Sequence, residues 1–185
     1  MTRLLVIVAI ALATLSVWFI VDNDSTPSRA PILVTYHDLA ASARKEVDCL
    51  ADNIYFEARS EPHKGKVAVA LVTLNRVHSR NYPSSVCAVV REQRNRVCQF
   101  SWWCDSKLKA KSLQRKFSSD ELYEDIRQIA LDVYINREYS QDITKGALFY
   151  HAEYVPQSAI GVKGLVKTSK IGRHIFYRKE LHEAI

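Results

Sequence analysis

Two glutamates in the run I-Y-F-E-A-R-S-E, residues 54–61, have the type and spacing that acid–base chemistry requires. Glu57 and Glu61 are four residues apart, so a single helix would place both on one face near its C-terminal end. Apolar neighbours and a like charge one turn away would both raise the pKa of the Glu57 carboxyl group. A carboxylic acid that stays protonated near neutral pH can donate a proton to a glycosidic oxygen. The alternative is an exposed acidic helix end, paired with a neighbouring Arg or Lys.

A second candidate is the aromatic tract Q-F-S-W-W-C-D, residues 99–105. Trp102 and Trp103 are adjacent, and core packing explains such a pair poorly because successive side chains rarely point the same way. Their ring faces are suited to stacking on sugar rings, and Asp105 could bind hydroxyl groups. For each tryptophan taken alone, filling of the core or of a loop is an equally open interpretation.

Histidines give a third candidate, in the runs 149–153 (F-Y-H-A-E) and 171–178 (I-G-R-H-I-F-Y-R). His151, Glu153 and His174 have side chains that can bind metals, but no HExxH or other compact zinc pattern accompanies them. Phosphate-binding glycine loops, a nucleophile elbow and nucleic-acid-binding modules are also missing from the sequence. We therefore expect neither a metal ion nor an organic cofactor.

Most of the elements that must position these residues are predicted to be helices. Apolar residues at i, i+3, i+4 and i+7 indicate an amphipathic helix over residues 45–60, and residues 64–77 form a more buried one. A capping-box pattern opens a long helix over residues 118–139. Residues 146–154 and 171–178 are aromatic and β-branched, which indicates a small hairpin or sheet. The predicted fold class is α+β and helix-dominated.

The N-terminus has a different composition from the rest of the chain. Residues 4–21 are uncharged and predominantly apolar, near the lower limit for a helix that spans a bilayer. Arg3 precedes them and acidic residues follow, so the positive-inside rule leaves the N-terminus in the cytoplasm and exports the rest. We expect an uncleaved signal-anchor over residues 1–24; a cleaved signal peptide and a buried core helix are the alternatives. Residues 25–44 are predicted to be a linker, and residues 45–185 the folded domain.

Length and composition suit one ordinary globular domain. The chain has 185 residues, of which 48% are hydrophobic and 25% charged, so wholesale disorder is excluded. The formal net charge of +6 favours an anionic partner without naming it. Nucleic acid is not expected as that partner, because the domain is predicted to be exported. We expect a monomer.

Four cysteines, all beyond the apolar segment, favour disulfides in an exported domain of this size. Cys98 and Cys104 are near enough in sequence to close a small loop, which would leave Cys49 with Cys87. The other two pairings stay open. The spacing C-x5-C does not fit common zinc knuckles.

Several motifs in series resemble the SleB-type cell wall hydrolase family, which includes spore-cortex-lytic enzymes and exported proteobacterial and phage relatives. The resemblance covers residues 49–177 nearly end to end, in the family's order. The matching segments are residues 49–62 (C-L-A-D-N-I-Y-F-E-A-R-S-E-P), 65–77, 82–90, 98–105, 147–151 and 171–177. Ser60 and Ser106 depart from it, each standing where the family usually has Gly.

The resemblance implies a lysozyme-like domain, similar to resuscitation-factor domains, that cleaves the β-1,4 bond between N-acetylmuramic acid and N-acetylglucosamine in peptidoglycan. The glutamate of the family's Y-x-E-A-R-G-E motif falls on Glu57, as acid/base. The motif's second glutamate falls on Glu61, as an auxiliary carboxylate or a structural partner. Gln99, Tyr150 and His151 are candidate sugar contacts. The resemblance also extends to all four cysteines and supports disulfides in the periplasm.

Several functional alternatives stay open at this stage. A lytic transglycosylase needs one carboxylate, whereas a hydrolase would use a second one from Glu61, Asp105 or Glu153. A non-catalytic peptidoglycan-binding module and a metal-dependent amidase or peptidase, using His151 and His174, are the other classes. The expected location is the periplasmic side of the inner membrane, with residues 4–21 as the anchor. A membrane-anchored phage endolysin and a bacterial wall-remodelling enzyme fit this description equally well.

Overall fold

Helices dominate the computed structural model, which describes residues 34–115, 120–138 and 141–180. Short 3-10 turns at Tyr36–Asp38 and Gln157–Ile160 accompany the longer elements. Those elements are, in chain order, α1 (Ala41–Ala58), α2 (His63–Val77), α3 (Val86–Val90), β1 (Gln93–Arg94), β2 (Val97–Cys98), α4 (Ser101–Cys104), α5 (Ser106–Arg115), α6 (Glu121–Asn136), β3 (Phe149–Ala152), β4 (Leu165–Ile171) and β5 (His174–Lys179). The predicted helix-dominated α+β class is confirmed.

The predicted membrane segment, residues 4–21, lies outside the described residues, as does the first part of the predicted linker, residues 25–44. Within the described ranges, none of the helices combines the length and the hydrophobicity that a membrane crossing requires.

Helix α1 is central to the helical core and packs against α2, α3 and α6. Its inner face is built by the predicted period, with Val47, Leu50, Ile54 and Ala58 all buried. The helix begins at residue 41 and ends at Ala58, whereas residues 45–60 were predicted. The early end has a local cause, because a proline disfavours helical backbone in the residue before it, here residue 61.

The end of α1 corrects one expectation about the candidate site. Glu61 lies in the short junction between α1 and α2, with its backbone N–H bonded to the carbonyl of Ala58. Glu57 and Glu61 therefore do not share the face of one helix.

Helix α2 lies between the helical core and the larger sheet, which explains why all of its residues from 68 to 76 are buried. Ala68 and Val72 face the sheet, where they pack against Ala147 and Phe176. Small side chains on this face let the sheet approach the helix closely.

Helix α6 begins at Glu121, because the Asp120 side chain accepts a hydrogen bond from the backbone N–H of Tyr123 at 3.4 Å. The capping residue is thus Asp120, not the Ser118 of the predicted capping box, which lies outside the described residues.

The larger sheet has three antiparallel strands in the order β3-β5-β4. Tyr150 on β3 pairs with Phe176 on β5, and Ile171 on β4 pairs with His174. Strands β3 and β5 lie in the predicted segments, but β4 was not predicted. A second sheet is the hairpin β1–β2, in which each strand has two residues. Its turn residues, Asn95 and Arg96, both have positive φ.

Two disulfides join the elements in the expected pairing. Cys49–Cys87 links α1 to α3, and Cys98–Cys104 closes the loop between β2 and α4.

The two disulfides are expected to differ in their contribution to stability. They are separated by 38 and 6 residues, so the chain-entropy relation gives about 4 kcal/mol for Cys49–Cys87 and about 2 kcal/mol for Cys98–Cys104. Urea unfolding of the two double Cys→Ala variants measures both losses in free energy of unfolding. Equal losses in the two variants, or a larger loss without Cys98–Cys104, would contradict this expectation.

Candidate active site

Glu57 lies in the last turn of α1, where its side chain is partly exposed. Its Oε2 accepts a hydrogen bond from the hydroxyl of Tyr150 on β3 at 3.2 Å. Burial raises the pKa of Glu57 above its ordinary value, and this effect exceeds the opposing effects of the Tyr150 hydrogen bond and the Arg76 charge. The chain thus holds a carboxyl group that keeps its proton to higher pH, next to two groups that favour its ionised form.

Tyr150 joins the helical core to the sheet. Its ring contacts His174 edge-on at 5.3 Å between centroids and Phe176 at 5.8 Å. Burial, together with the adjacent Glu57, raises the pKa of Tyr150 well above its ordinary value. Its hydroxyl therefore remains a proton-bearing donor to Glu57 throughout the physiological range.

Arg76 on α2 was not predicted as a site residue. It is only 6% exposed, and its Nε donates to the carbonyl of Leu148 at 2.9 Å. Its guanidinium lies over the rings of Tyr82 and Phe100, at 5.4 and 5.0 Å from their centroids. The signal that could have identified it is a single arginine inside a helical run without any other charged residue, V-A-L-V-T-L-N-R-V.

A cleft of about 520 Å³ opens beside this cluster. Tyr150 and Arg76 line it, as do Gln99 and His151, so two further predicted site residues lie together here. The hairpin β1–β2 contributes to the cleft lining, and so does the segment that follows β3. Glu57 does not itself line the cleft, but its carboxyl group is one hydrogen bond away from it, through Tyr150.

His151 is buried on β3, and both of its ring nitrogens have partners. Nδ1 lies 2.8 Å from the carbonyl of Ala152, and Nε2 lies 2.9 Å from the hydroxyl of Tyr177. Because a carbonyl can only accept, Nδ1 carries the proton in the neutral ring and Nε2 accepts from Tyr177. Over the described part of the chain, no three His, Cys, Asp or Glu residues are grouped as metal ligands would be.

Glu61 is tied to the turn between β4 and β5, in an arrangement the sequence did not indicate. Its Oε2 accepts from the backbone N–H of Arg173 at 2.9 Å, and its Oε1 from the Arg173 guanidinium at 2.7 Å. Burial raises the pKa of Glu61, but these bonds and the charges of Arg173 and His174 outweigh that effect and lower it. Glu61 is not among the groups that shift the pKa of Glu57, contrary to the expectation of like-charge repulsion. Of its two predicted roles, the geometry favours the structural partner.

Trp102 is a core residue, which corrects its prediction as a sugar contact. It is 3% exposed, stacks on Phe56 at 4.5 Å, and donates from Nε1 to Asn53 at 3.0 Å. Its stacked ring and its bonded N–H donor are accounted for by packing in the core. Trp102 and Trp103 point in different directions, because consecutive residues of a helix such as α4 are turned about 100° from each other.

Trp103 and Asp105 also lie away from the cleft lining. Cationic groups of Arg91 and Lys109 lie over the Trp103 ring, at 5.1 and 4.1 Å from its centroid. Asp105 caps α5, since its Oδ1 accepts from the backbone N–H groups of Lys107 and Leu108 at 2.9 and 3.1 Å. Their predicted contacts with sugar stay predictions, and local structure accounts for both residues.

Comparisons with known proteins agree with the fold. The chain is similar to the spore cortex-lytic enzyme of Bacillus subtilis, with 28% identity over 84% of this chain and 45% of the relative. The enzyme of Halalkalibacterium halodurans is 30% identical over 74% of this chain and 36% of the relative. The chain thus spans less than half the length of these curated relatives.

Two solved structures are similar over most of this chain. The catalytic domain of the Bacillus cereus SleB protein is 29% identical, with a TM-score of 0.55, covering 81% of this chain and 98% of that domain. The catalytic domain of the germination-specific lytic transglycosylase SleB from Bacillus anthracis is also 29% identical, with a TM-score of 0.52, covering 73% and 95%.

The profile of the Cell Wall Hydrolase family matches residues 60–177, which is more than half of the chain. The matched range begins after Glu57, so the role of that residue rests on its own geometry. The chain belongs to the Cell Wall Hydrolase family.

Proposed function

We propose that the protein is a lytic transglycosylase that cleaves the β-1,4 bond between N-acetylmuramic acid and N-acetylglucosamine in peptidoglycan. One observation carries the proposal: Glu57 is a protonatable carboxyl group beside the cleft, whereas the nearby carboxylate of Glu61 is held by Arg173. Membership in the family supports action on the cell wall, and one structural relative is itself named a lytic transglycosylase.

A single carboxyl group can perform both proton transfers of this reaction. Protonated Glu57 donates its proton to the glycosidic oxygen as the bond to the muramic acid C1 breaks and an oxocarbenium-like sugar forms. The resulting carboxylate then accepts the proton of the same sugar's 6-hydroxyl, whose oxygen attacks C1 and closes a 1,6-anhydro ring. No water is consumed.

The surroundings of Glu57 suit both halves of the cycle. Burial favours the neutral acid that the first step needs. The Tyr150 hydroxyl and the Arg76 charge favour the carboxylate that the second step needs. In this proposal Tyr150 and Arg76 position and balance the acid/base without donating protons to the sugar.

The proposal is tested by incubating the full-length protein with purified Gram-negative peptidoglycan and analysing the solubilised fragments. Glycan fragments with intact peptide stems are the expected products. Cut stems on intact glycan would mean an amidase or peptidase, and sedimentation with the wall without any product would mean a binding module.

The pH dependence of cleavage follows from the position of Glu57. Because the acid works only while protonated, kcat/KM is expected to fall as the pH rises through the raised pKa of Glu57. Tyr150→Phe removes a hydrogen bond that lowers this pKa, so the alkaline limb of the pH profile should move to higher pH. Tyr177→Phe is the matched control, since its hydroxyl contacts His151 instead. An unmoved limb in Tyr150→Phe would contradict the assignment of Glu57 as the acid.

We also propose that the catalytic domain is lysozyme-like, monomeric and periplasmic, with residues 1–24 as a signal-anchor in the inner membrane. The apolar run 4–21 and the two disulfides support export. An anchored wall-cleaving enzyme of this size suits a phage endolysin as well as a bacterial remodelling enzyme. The topology is tested by fusing, after residue 185, a reporter enzyme that is active only in the periplasm. The proposal predicts an active fusion, and an inactive one would contradict it.

A further inference from the structure

The cleft beside Glu57 is lined by cations, and among the described residues no carboxylate lines it. The three cations are Arg76, Arg94 and Lys179. Arg94 is paired with Glu92 at 2.7 Å, so its charge is locally balanced. Arg76 and Lys179 form no ion pair with a described residue, which leaves the cleft with excess positive charge.

Arg76 also has unused hydrogen-bonding capacity. Its Nη1 is buried, and the described residues supply no acceptor for it. A buried donor without a partner costs free energy, so such groups in native proteins call for a specific explanation. An acceptor on a ligand in the cleft would supply one.

The remaining lining of the cleft is largely apolar. Val97 on β2, which is 66% exposed, belongs to this lining. Val155, Ile160 and Val162, from the segment after β3, also belong to it. Small aliphatic side chains suit methyl-sized groups, and Tyr82, Phe149 and Tyr150 add aromatic rings to the lining.

The excess positive charge of the cleft is complementary to the anionic part of the substrate. In peptide-bearing peptidoglycan the sugars are uncharged, because the lactyl carboxyl group of muramic acid forms an amide bond with the peptide; removal of the peptide at that bond exposes one lactyl carboxylate. The negative charges of peptidoglycan lie on the carboxylates of its peptide stems, which also carry the methyl groups of alanine. Cations beside aliphatic side chains are complementary to such a peptide.

We propose that the cleft binds the carboxylate-bearing peptide stem of the muramic acid at the cleavage site. The inference rests on the proposed function, because it names the part of the same substrate that the cleft beside Glu57 would hold. The enzyme would thereby select glycan strands that carry peptides over strands from which the peptides have been removed.

Binding of the free stem tetrapeptide L-Ala–D-Glu–meso-diaminopimelate–D-Ala, followed by NMR on the full-length protein, tests the inference without requiring catalysis. Shift changes are expected at Gln99, Tyr150 and Lys179. Amidating the peptide's carboxyl groups should weaken binding by about tenfold, which corresponds to about 1.4 kcal/mol. Equal affinity for both peptides, or shift changes away from the cleft, would overturn the proposal.

Lysine variants test whether the peptide binds in the cleft. Lys179→Gln should weaken binding of the unmodified peptide by about threefold to fivefold, in the range of a partly exposed ion pair, while Lys179→Arg retains it. Lys107→Gln is the matched control, because Lys107 is exposed on α5 and does not line the cleft. If Lys107→Gln weakened peptide binding as much as Lys179→Gln does, the proposed binding site would also be wrong.

Kinetics give the second readout. The kcat/KM of the wild type should be about tenfold higher on peptide-bearing strands than on strands stripped of peptides, and Lys179→Gln should lower this ratio. Equal kcat/KM values on the two substrates would contradict the inference and leave the proposed function intact. Peptide binding at the cleft with no cleavage of either substrate would support the inference while the proposed function fails.

Discussion

Replacing Glu57 by Gln lowers kcat for glycan cleavage by on the order of 10³-fold, because the amide can neither donate nor accept the proton that the reaction transfers. The substitution keeps the size of the side chain, and the amide oxygen can still accept the hydrogen bond of Tyr150. The thermal unfolding midpoint should therefore change little. Initial rates of fragment release, measured beside the midpoint, separate loss of chemistry from loss of fold.

Glu153→Gln is the matched control for this variant. Glu153 is an exposed carboxylate that directly follows β3, and it forms an ion pair with Lys170. In the one-carboxylate mechanism its replacement should change the rate by no more than about twofold, as expected of a surface ion pair. A loss in Glu153→Gln comparable to that in Glu57→Gln would instead indicate a hydrolase that uses two carboxylates.

Among single substitutions, the largest effect on stability is expected from Gly172→Ala, in the turn between β4 and β5. Gly172 has a φ of +58°, and a Cβ atom there would collide with Oε2 of Glu61. Glu61 cannot easily move away, because it is held by Arg173 and packs closely against Gly65. We expect a loss of about 3 kcal/mol in the free energy of unfolding, from overpacking together with backbone strain. For a domain of this size that is a fall of about 6–12 °C in the thermal midpoint.

Gly164→Ala is the control that isolates the collision. Gly164 has a φ of +68°, close to that of Gly172, but a Cβ atom there would meet nothing within 4 Å. Its replacement should incur only the backbone strain, about 1–2 kcal/mol. Equal losses in the two variants would mean that Glu61 is not the rigid structural partner described above.

Local patterns predicted the helices well and the sheet less well. The period of apolar residues in α1 identified its buried face, and the position of Pro62 accounts for its end at Ala58. Strand β4 was missed because its exposed and half-buried positions do not alternate cleanly, and a bulge interrupts its pairing between Lys167 and Ser169. The disulfide pairing is the one that the short spacing of Cys98 and Cys104 favoured, although the sequence left the other two pairings open.

The site was harder to predict, because its partners are distant in sequence. Glu57 was a candidate from its apolar neighbours and from the family resemblance, but its hydrogen-bond partner Tyr150 lies 93 residues away. The role of Glu61 depends on Arg173, which is 112 residues away. Trp102 was misassigned because the sequence does not reveal that Asn53 and Phe56 cover it. Residue type and spacing report the chemistry that is available, whereas burial and partners decide which residues use it.

The most direct test of the central claim is mass spectrometry of the products formed by the full-length protein in ¹⁸O-labelled water. A lytic transglycosylase leaves 1,6-anhydro-muramic ends, which are one water lighter than reducing ends and contain no ¹⁸O. We predict these ends, and their absence from digests with Glu57→Gln. Reducing ends that carry ¹⁸O would contradict the account, because water would then be the nucleophile and a second carboxylate would be required.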